Sequence, residues 1–147
     1  MKPIVTLVLI ADDGEARLLV NEGVGKGLSQ LATHSASELD AERFAYSDER
    51  GRASAAPGIA RHAMEPRSSP ERQAREAFAA HLAAALRTAW KAGGYDRVIF
   101  AAAPRMLGAL RAELGDLAPH VAASLDKDLV KVPLSDLPRH FAGVAAF

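Results

Sequence analysis

The first third of the chain alternates between apolar runs and short polar turns. Residues 3–11, PIVTLVLIA, form a nearly continuous β-branched and leucine-rich run, which is typical of a strand covered on both faces. An Asp-Asp-Gly turn at residues 12–14 leads into a second run, EARLLV. The loop NEGVGKG then precedes a third candidate strand at residues 28–34. The pattern predicts an antiparallel meander whose first strand is central in its sheet.

Neither the helical nor the strand period holds between residues 35 and 69, where Ser, Ala, Gly, Pro, Arg and Glu dominate. A connection of this length without regular structure is uncommon inside a compact domain and is usually functional or disordered. It lacks an apolar period whose burial would offset the entropy lost on ordering. We therefore predict that residues 35–69 are a long loop and the most mobile part of the chain.

A helix is predicted at residues 70–91. Ser68 or Ser69 can cap its start, Ser68 forming a capping box with Glu71 if it is the cap. A proline suits the first turn, and Gly93-Gly94 ends the helix. The predicted apolar stripe consists of Ala74, Phe78, Leu82, Ala85, Leu86 and Ala89.

The last third of the chain reads as strand, helix, strand. Residues 95–103, YDRVIFAAA, form a buried strand, and PRMLGALRAEL at 104–114 forms a helix with Met106, Leu107, Leu110 and Leu114 facing inward. HVAASLD at 120–126 gives the last strand. A polar connection and a short helix at 134–141 follow.

This order of elements predicts one α/β domain, residues 1–147, with a mixed central sheet and helices packed on its faces. We expect residues 4–10 and 97–102 to lie side by side at the centre of the sheet. The helix at 70–91 should pack against one face.

Composition limits the possible partners. The chain has 18 basic and 18 acidic residues, so no long-range field attracts nucleic acid or an anionic membrane, although a local basic patch can still form. Cysteine is absent, which excludes disulfides and a cysteine nucleophile. The apolar run near the N-terminus is too short to span a membrane and lacks a signal-peptide cleavage pattern. We therefore expect a cytoplasmic protein; the sequence leaves its oligomeric state open.

Four blocks of the sequence, in order, resemble the bacterial host-attachment protein family: VLIADDGEARLLV, ARHAMEP, YDRVIFAAAPRMLGALRAEL and LDKDLVKVPLSDL. The resemblance covers nearly the whole chain. It implies kinship with the middle domain of the archaeo-eukaryotic peptide-chain release factors, and hence a ribonuclease-H-like fold. The family name implies attachment to a host cell surface, whereas the kinship implies work at the ribosome.

Release factors carry a Gly-Gly-Gln tripeptide in the long loop, but no such tripeptide occurs in this chain. Peptide release by that mechanism is therefore not expected. The loop instead carries arginines suited to charge-assisted hydrogen bonds with RNA phosphates. These candidate RNA-binding residues are Arg50, Arg52, Arg61 and Arg67. The leading hypothesis is a non-enzymatic binding protein that contacts RNA or the ribosome, and host-surface attachment is the alternative.

His62 and Glu65 support a hydrolase hypothesis, as a general base and the acid that orients it. The alternative interpretation is that His62 packs the end of the loop against the domain while Glu65 pairs with Arg67 at the helix entrance. We favour the packing interpretation.

Asp12, Asp13, Asp48 and Glu65 raise the possibility of a two-metal nuclease. The geometry of an Asp-Asp-Gly turn accounts for the first two without a metal. The other histidines are scattered singly in the sequence without ligand spacing, so neither a metal nor another cofactor is expected.

Gly23, Gly25 and Gly27 do not complete a phosphate-binding motif and are interpreted as a flexible hairpin. Lys127 and Asp128 match the family's Lys-Asp-Leu block and follow the last strand, at the edge where ligand sites often form. An intramolecular salt bridge accounts for this pair equally well.

Overall fold

The computed structural model describes residues 2–39 and 69–147. They form a five-stranded mixed sheet with helices on one face and the C-terminal segment on the other. The predicted single α/β domain with a mixed central sheet is confirmed. The strands are β1 (Thr6–Ala11), β2 (Glu15–Asn21), β3 (Ser29–Ser35), β4 (Arg97–Ala102) and β5 (Val121–Asp126). The α-helices are α1 (Pro70–Ala92), α2 (Pro104–Glu113) and α3 (Leu137–His140), and two 3₁₀ helices span Gly115–His120 and Leu134–Asp136.

The strand order is β3-β2-β1-β4-β5. β1 pairs antiparallel with β2 and parallel with β4, and β4 pairs parallel with β5. Every residue of β1 is buried, as its continuous apolar run predicts. The meander and the central β1–β4 pair are therefore as predicted.

The first strand begins at Thr6, two residues later than the sequence pattern indicates, and Ile4 is half exposed. Before Thr6, the chain is held by hydrogen bonds that do not belong to the β-sheet pairing. Val5 N donates to Asp96 Oδ2 at 2.8 Å, and Asp96 N donates back to Val5 O at 2.8 Å. The main chain of Val5 is thus fixed by a loop residue rather than by a neighbouring strand.

The start of α1 is capped by Ser69, whose Oγ accepts from Arg72 N at 3.1 Å, so the capping box based on Ser68 is not the arrangement found. Gly93 ends the helix at a φ of 93°. The buried face of α1 is shifted relative to the predicted stripe, because the helix packs against α2 as well as the sheet: Ala74 is exposed, and Ala85 and Ala89 are only partly buried. The buried positions of α1 are Phe78, Ala79, Leu82, Ala83 and Leu86.

The segment after β5 is not a merely polar connection. Leu129 and Val130 are buried and join a second core with Leu137, Phe141 and Phe147. This core covers the face of the sheet opposite α1 and α2. Each face of the sheet is therefore covered by a core. Ligand sites in such sheets form at the carboxyl edge, where the parallel strands end.

Candidate functional site

The ends of the parallel strands β1, β4 and β5 meet at one edge of the sheet, which we call the carboxyl edge. An open cleft of about 740 Å³ lies there, and we call it the strand-end cleft. The turn after β1, the start of α2 and the segment after β5 line it. Its charged residues are Asp12, Asp13, Glu15, Arg105, Asp128 and Lys131.

Asp12 is committed to the turn between β1 and β2. Its Oδ1 accepts from Gly14 N at 2.8 Å and from Glu15 N at 2.6 Å, and its own N donates to Glu15 O at 2.9 Å. A carboxylate that accepts two main-chain N–H groups is the side-chain-stabilised turn that the sequence predicts. The structure therefore gives Asp12 a turn-forming role.

Asp13 pairs with α1 across the edge of the sheet. Its Oδ2 lies 3.1 Å from Arg75 Nε. The Arg75 side chain is only 12% exposed, so the guanidinium is packed between the turn and the helix. This ion pair fixes the start of α1 against the β1–β2 turn.

The cations that line the strand-end cleft are Arg105 and Lys131. Within residues 2–39 and 69–147, neither Arg105 nor Lys131 forms an ion pair, and both are exposed. Arg105 lies in the first turn of α2, where the helix dipole also favours an anion. These two side chains are the cations of a cleft that also carries the carboxylates of Asp12, Asp13, Glu15 and Asp128.

Asp128 lines the strand-end cleft, as its position after the last strand indicates, whereas Lys127 does not. Asp128 Oδ1 accepts a long hydrogen bond, 3.4 Å, from Val130 N. In the described part of the chain, no ion pair joins Lys127 to Asp128, so the salt-bridge interpretation of this pair is not what the structure shows.

A second depression of about 780 Å³ runs between α1 and α2, and we call it the helix groove. Gly108, Ala109 and Ala112 of α2 leave room for it because their side chains are small. It shares Pro104 and Arg105 with the strand-end cleft, so the two depressions are continuous. Ser69, where the described chain resumes, lies at the helix groove.

Most of the sequence-predicted site residues lie outside the described residues. These are Arg50, Arg52, Arg61, Arg67, His62 and Glu65, together with Asp48 of the proposed carboxylate set. The described residues on either side of that segment lie at the β1–β2 turn and at the helix groove. Ala36 N donates to Gly14 O at 2.8 Å, in the same turn that Arg75 contacts from α1. Ser69 lines the helix groove together with Arg105, so both flanking residues lie near the carboxyl edge.

The structure also brings together two histidines, His34 and His81, that are 47 positions apart in the sequence. The rings of His34 on β3 and His81 on α1 are 5.3 Å apart, centroid to centroid, and meet edge to face at 77°. Burial lowers the pKa of His34, the nearby His81 lowers it further, and Glu38 raises it in part. No signal in the sequence indicates this pair, because it depends on how α1 docks beside an edge strand.

Among the described residues, no group of three or more histidine, aspartate or glutamate side chains is arranged to hold a metal ion. In the same part of the chain, none of the helices combines the length and apolar character required to cross a membrane.

The sequence of this α/β domain matches that of a known protein family. Residues 7–141 match the family described as "Protein required for attachment to host cells". The match covers almost the entire chain, and the protein belongs to this host-attachment family. No curated protein matches the chain.

Proposed function

We propose that this chain is a non-enzymatic binding protein that contacts RNA, in free form or on the ribosome, through its carboxyl edge and the arginine-bearing segment 40–68. The observation that carries the proposal is the position of the described residues that flank that segment: Ala36 is bonded to the β1–β2 turn at the carboxyl edge, and Ser69 shares the helix groove with Arg105. The segment contributes four further arginines, namely Arg50, Arg52, Arg61 and Arg67.

The chemistry supports RNA phosphate as the ligand. Guanidinium groups bind phosphate through paired, charge-assisted hydrogen bonds, and such contacts need no net positive charge on the whole protein. Because the chain is neutral overall, we expect binding to depend on these local contacts and to be modest in affinity. The proposed kinship with the release-factor middle domain and a cytoplasmic location agree with this partner. Without Gly-Gly-Gln, the proposed role is binding and not peptide release.

Co-sedimentation of the purified protein with ribosomes, and with a single-stranded RNA alone, tests the proposal. Replacing Arg50, Arg52, Arg61 and Arg67 together with alanine should weaken association. It should also flatten the salt dependence, because each lost phosphate contact lowers the slope by about one. Binding of this variant equal to that of the parent protein, at low and at moderate salt, would remove RNA as a partner.

A matched control removes the same charge elsewhere. The replaced residues are Lys2, Lys26, Lys91 and Arg139, all exposed and none lining the strand-end cleft or the helix groove. We expect this variant to bind as the parent does. An equal loss in both fourfold variants would indicate a response to net charge, which contradicts a localised site.

The contribution of the described edge is tested separately. Replacing Arg105 and Lys131 together with alanine should weaken RNA binding. Adding this double change to the fourfold arginine change should weaken binding further than the fourfold change alone. Both residues are exposed, so the fold should be unaffected. A double variant with parental affinity and salt slope would confine the binding surface to the segment 40–68.

The second candidate function is attachment to a host cell surface, and the family's description favours it. Labelled protein should then bind intact host cells saturably and be displaced by unlabelled protein. The surface fraction of the producing cells should also contain the native protein. Recovery with ribosomes and absence from the surface fraction would favour the RNA proposal, and the reverse result would favour attachment.

A further inference from the structure

The His34–His81 contact lies where β3 ends and the chain leaves the sheet. Residues 36–39 form a helical turn directly after β3. Ser35 Oγ accepts from Glu38 N at 3.2 Å, and Ala36 and Leu39 pack against the core under α1. The position of this turn therefore depends on how well β3 is held against α1.

The contact between the two imidazoles stands in an apolar setting on the helix side. Phe78 stacks beside His81 at 6.3 Å with nearly parallel rings. One helical turn on either side of His81 presents Ala77, Ala84 and Ala85. Around His81, α1 therefore offers no acid that would stabilise an imidazolium.

The other elements around the pair carry two exposed acids, Glu38 in the turn after β3 and Glu15 of β2, which lines the same depression as His34. On β2, Ala16 is the partner of His34, and the Arg17 guanidinium reaches instead to Val130 O and Val132 O on the second face of the sheet. Arg75, nearer the start of α1, is paired with Asp13. Of the described acids, Glu38 is the one whose charge acts on His34.

We propose that the His34–His81 pair is a proton-sensitive latch that holds the end of β3 and the turn 36–39 against α1 near neutral pH and loosens them in acid. When both rings are neutral, they pack edge to face with each other, and His81 also stacks beside Phe78. When both bind protons, two like charges meet at a ring separation of 5.3 Å, and the two carboxylates in the depression around His34, those of Glu15 and Glu38, are both exposed. The shared proton uptake favours the conformation in which the rings separate.

Hydrogen exchange at the Ala36 amide is a direct readout, because that N–H donates to Gly14 O only while the turn is docked. In the native protein, the protection factor at Ala36, corrected for intrinsic exchange, should fall about tenfold from about pH 7.5 to about pH 5. Amides in the buried strand β1 should keep their protection over the same range. Unchanged protection at Ala36 would overturn the proposal.

Variants assign the effect to the pair. His81→Phe keeps a ring against His34 without a titratable nitrogen, and should abolish most of the fall at Ala36. Glu38→Gln removes a charge that raises the pKa of His34, so it should lower that pKa further and enlarge the fall. His140→Gln, remote in sequence and on α3, should behave as the parent. Parental pH dependence in His81→Phe would contradict the latch.

Imidazole titration in the unsubstituted protein supplies an independent measurement should His81→Phe fold poorly. The NMR titration of the His34 ring should deviate from a single-site curve, because the His81 imidazole lies against it. A single-site curve for His34 would equally count against the latch.

Discussion

Asp12 shows how a residue with a catalytic appearance is accounted for by its main-chain contacts. Its Oδ1 accepts from both Gly14 N and Glu15 N in the turn after the central strand. Asp13 beside it forms an ion pair with Arg75 instead. The two adjacent carboxylates therefore have different structural roles, and substitutions should separate them.

Asp12→Ala should destabilise the domain by about 0.5–1.5 kcal/mol, because two exposed turn N–H groups exchange their carboxylate acceptor for water. Asp12→Asn keeps an acceptor oxygen and should cost less. Asp13→Ala removes a largely exposed partner and should cost no more than about 1 kcal/mol. Urea unfolding of the three variants measures this order, and an Asp13→Ala loss larger than that of Asp12→Ala would contradict it.

His34 makes stability depend on pH. Because its pKa is lowered in the folded chain, the unfolded chain takes up a proton first as the pH falls below the ordinary value of 6.5. The stabilisation is therefore complete above that value and is lost as the pH falls toward the folded pKa. Urea unfolding at pH values either side of 6.5 should show a smaller loss in His34→Gln than in the parent. An equal loss in both would assign the pH dependence to other groups.

At the end of one helix and inside another, the substitution of glycine by alanine should have opposite effects. Gly93 ends α1 at φ 93° and ψ 165°, a conformation that residues with a Cβ rarely adopt. Gly108 lies inside α2, and an added Cβ there would meet no atom within 4 Å. The first glycine is required by its backbone conformation, and the second is not.

Gly93→Ala should destabilise the protein by roughly 1–3 kcal/mol. Gly108→Ala should stabilise it by about 0.5–1 kcal/mol, because alanine loses less entropy in a helix and its methyl group points into the open helix groove. Thermal unfolding midpoints should therefore move in opposite directions. If Gly108→Ala lowered the midpoint, the groove would be more crowded than the structure indicates.

The elements themselves were largely predictable from local sequence. The continuous apolar run of β1, the Asp-Asp-Gly turn and the Gly93 stop each act within a few residues, so their signals survive without knowledge of the fold. The His34–His81 contact and the burial of Leu129 were not predictable in this way. Both depend on which face of the sheet a distant segment covers.

The candidate site, too, was only partly predictable from local sequence. Its location at the carboxyl edge follows from parallel strands, which the strand–helix–strand order predicts. Asp128 lines the cleft at that edge, and its role stays a prediction; Arg105 and Lys131 also line it but were not predicted, because single cations near helix starts carry no distinctive pattern. The arginine, His62 and Glu65 predictions lie outside the described residues and stay predictions.

At the scale of the whole molecule, two cores share one sheet. β1 and β4 alternate their side chains between them: Leu7 and Phe100 enter the core under the helices, and Val8 and Ile99 enter the core under the C-terminal segment. Neither core can lose its packing without exposing one face of the same central strands. This arrangement predicts a single cooperative unfolding transition for the described domain.

Trp90, the chain's one tryptophan, packs against the first core and lies 4.5 Å from the His120 ring, so its fluorescence reports that side of the sheet. Phe141 is fully buried in the second core, 5.3 Å from Phe147.

Phe141→Ala should destabilise the protein by about 3–5 kcal/mol through the cavity it leaves. Since the strands are shared, the Trp90 transition in urea should shift to lower denaturant together with the far-ultraviolet circular dichroism. Leu86→Ala, in the first core, is the matched control and should shift both signals together by a smaller amount, about 2–5 kcal/mol. A Trp90 transition that stayed in place in Phe141→Ala while the circular dichroism moved would show that the two cores unfold separately.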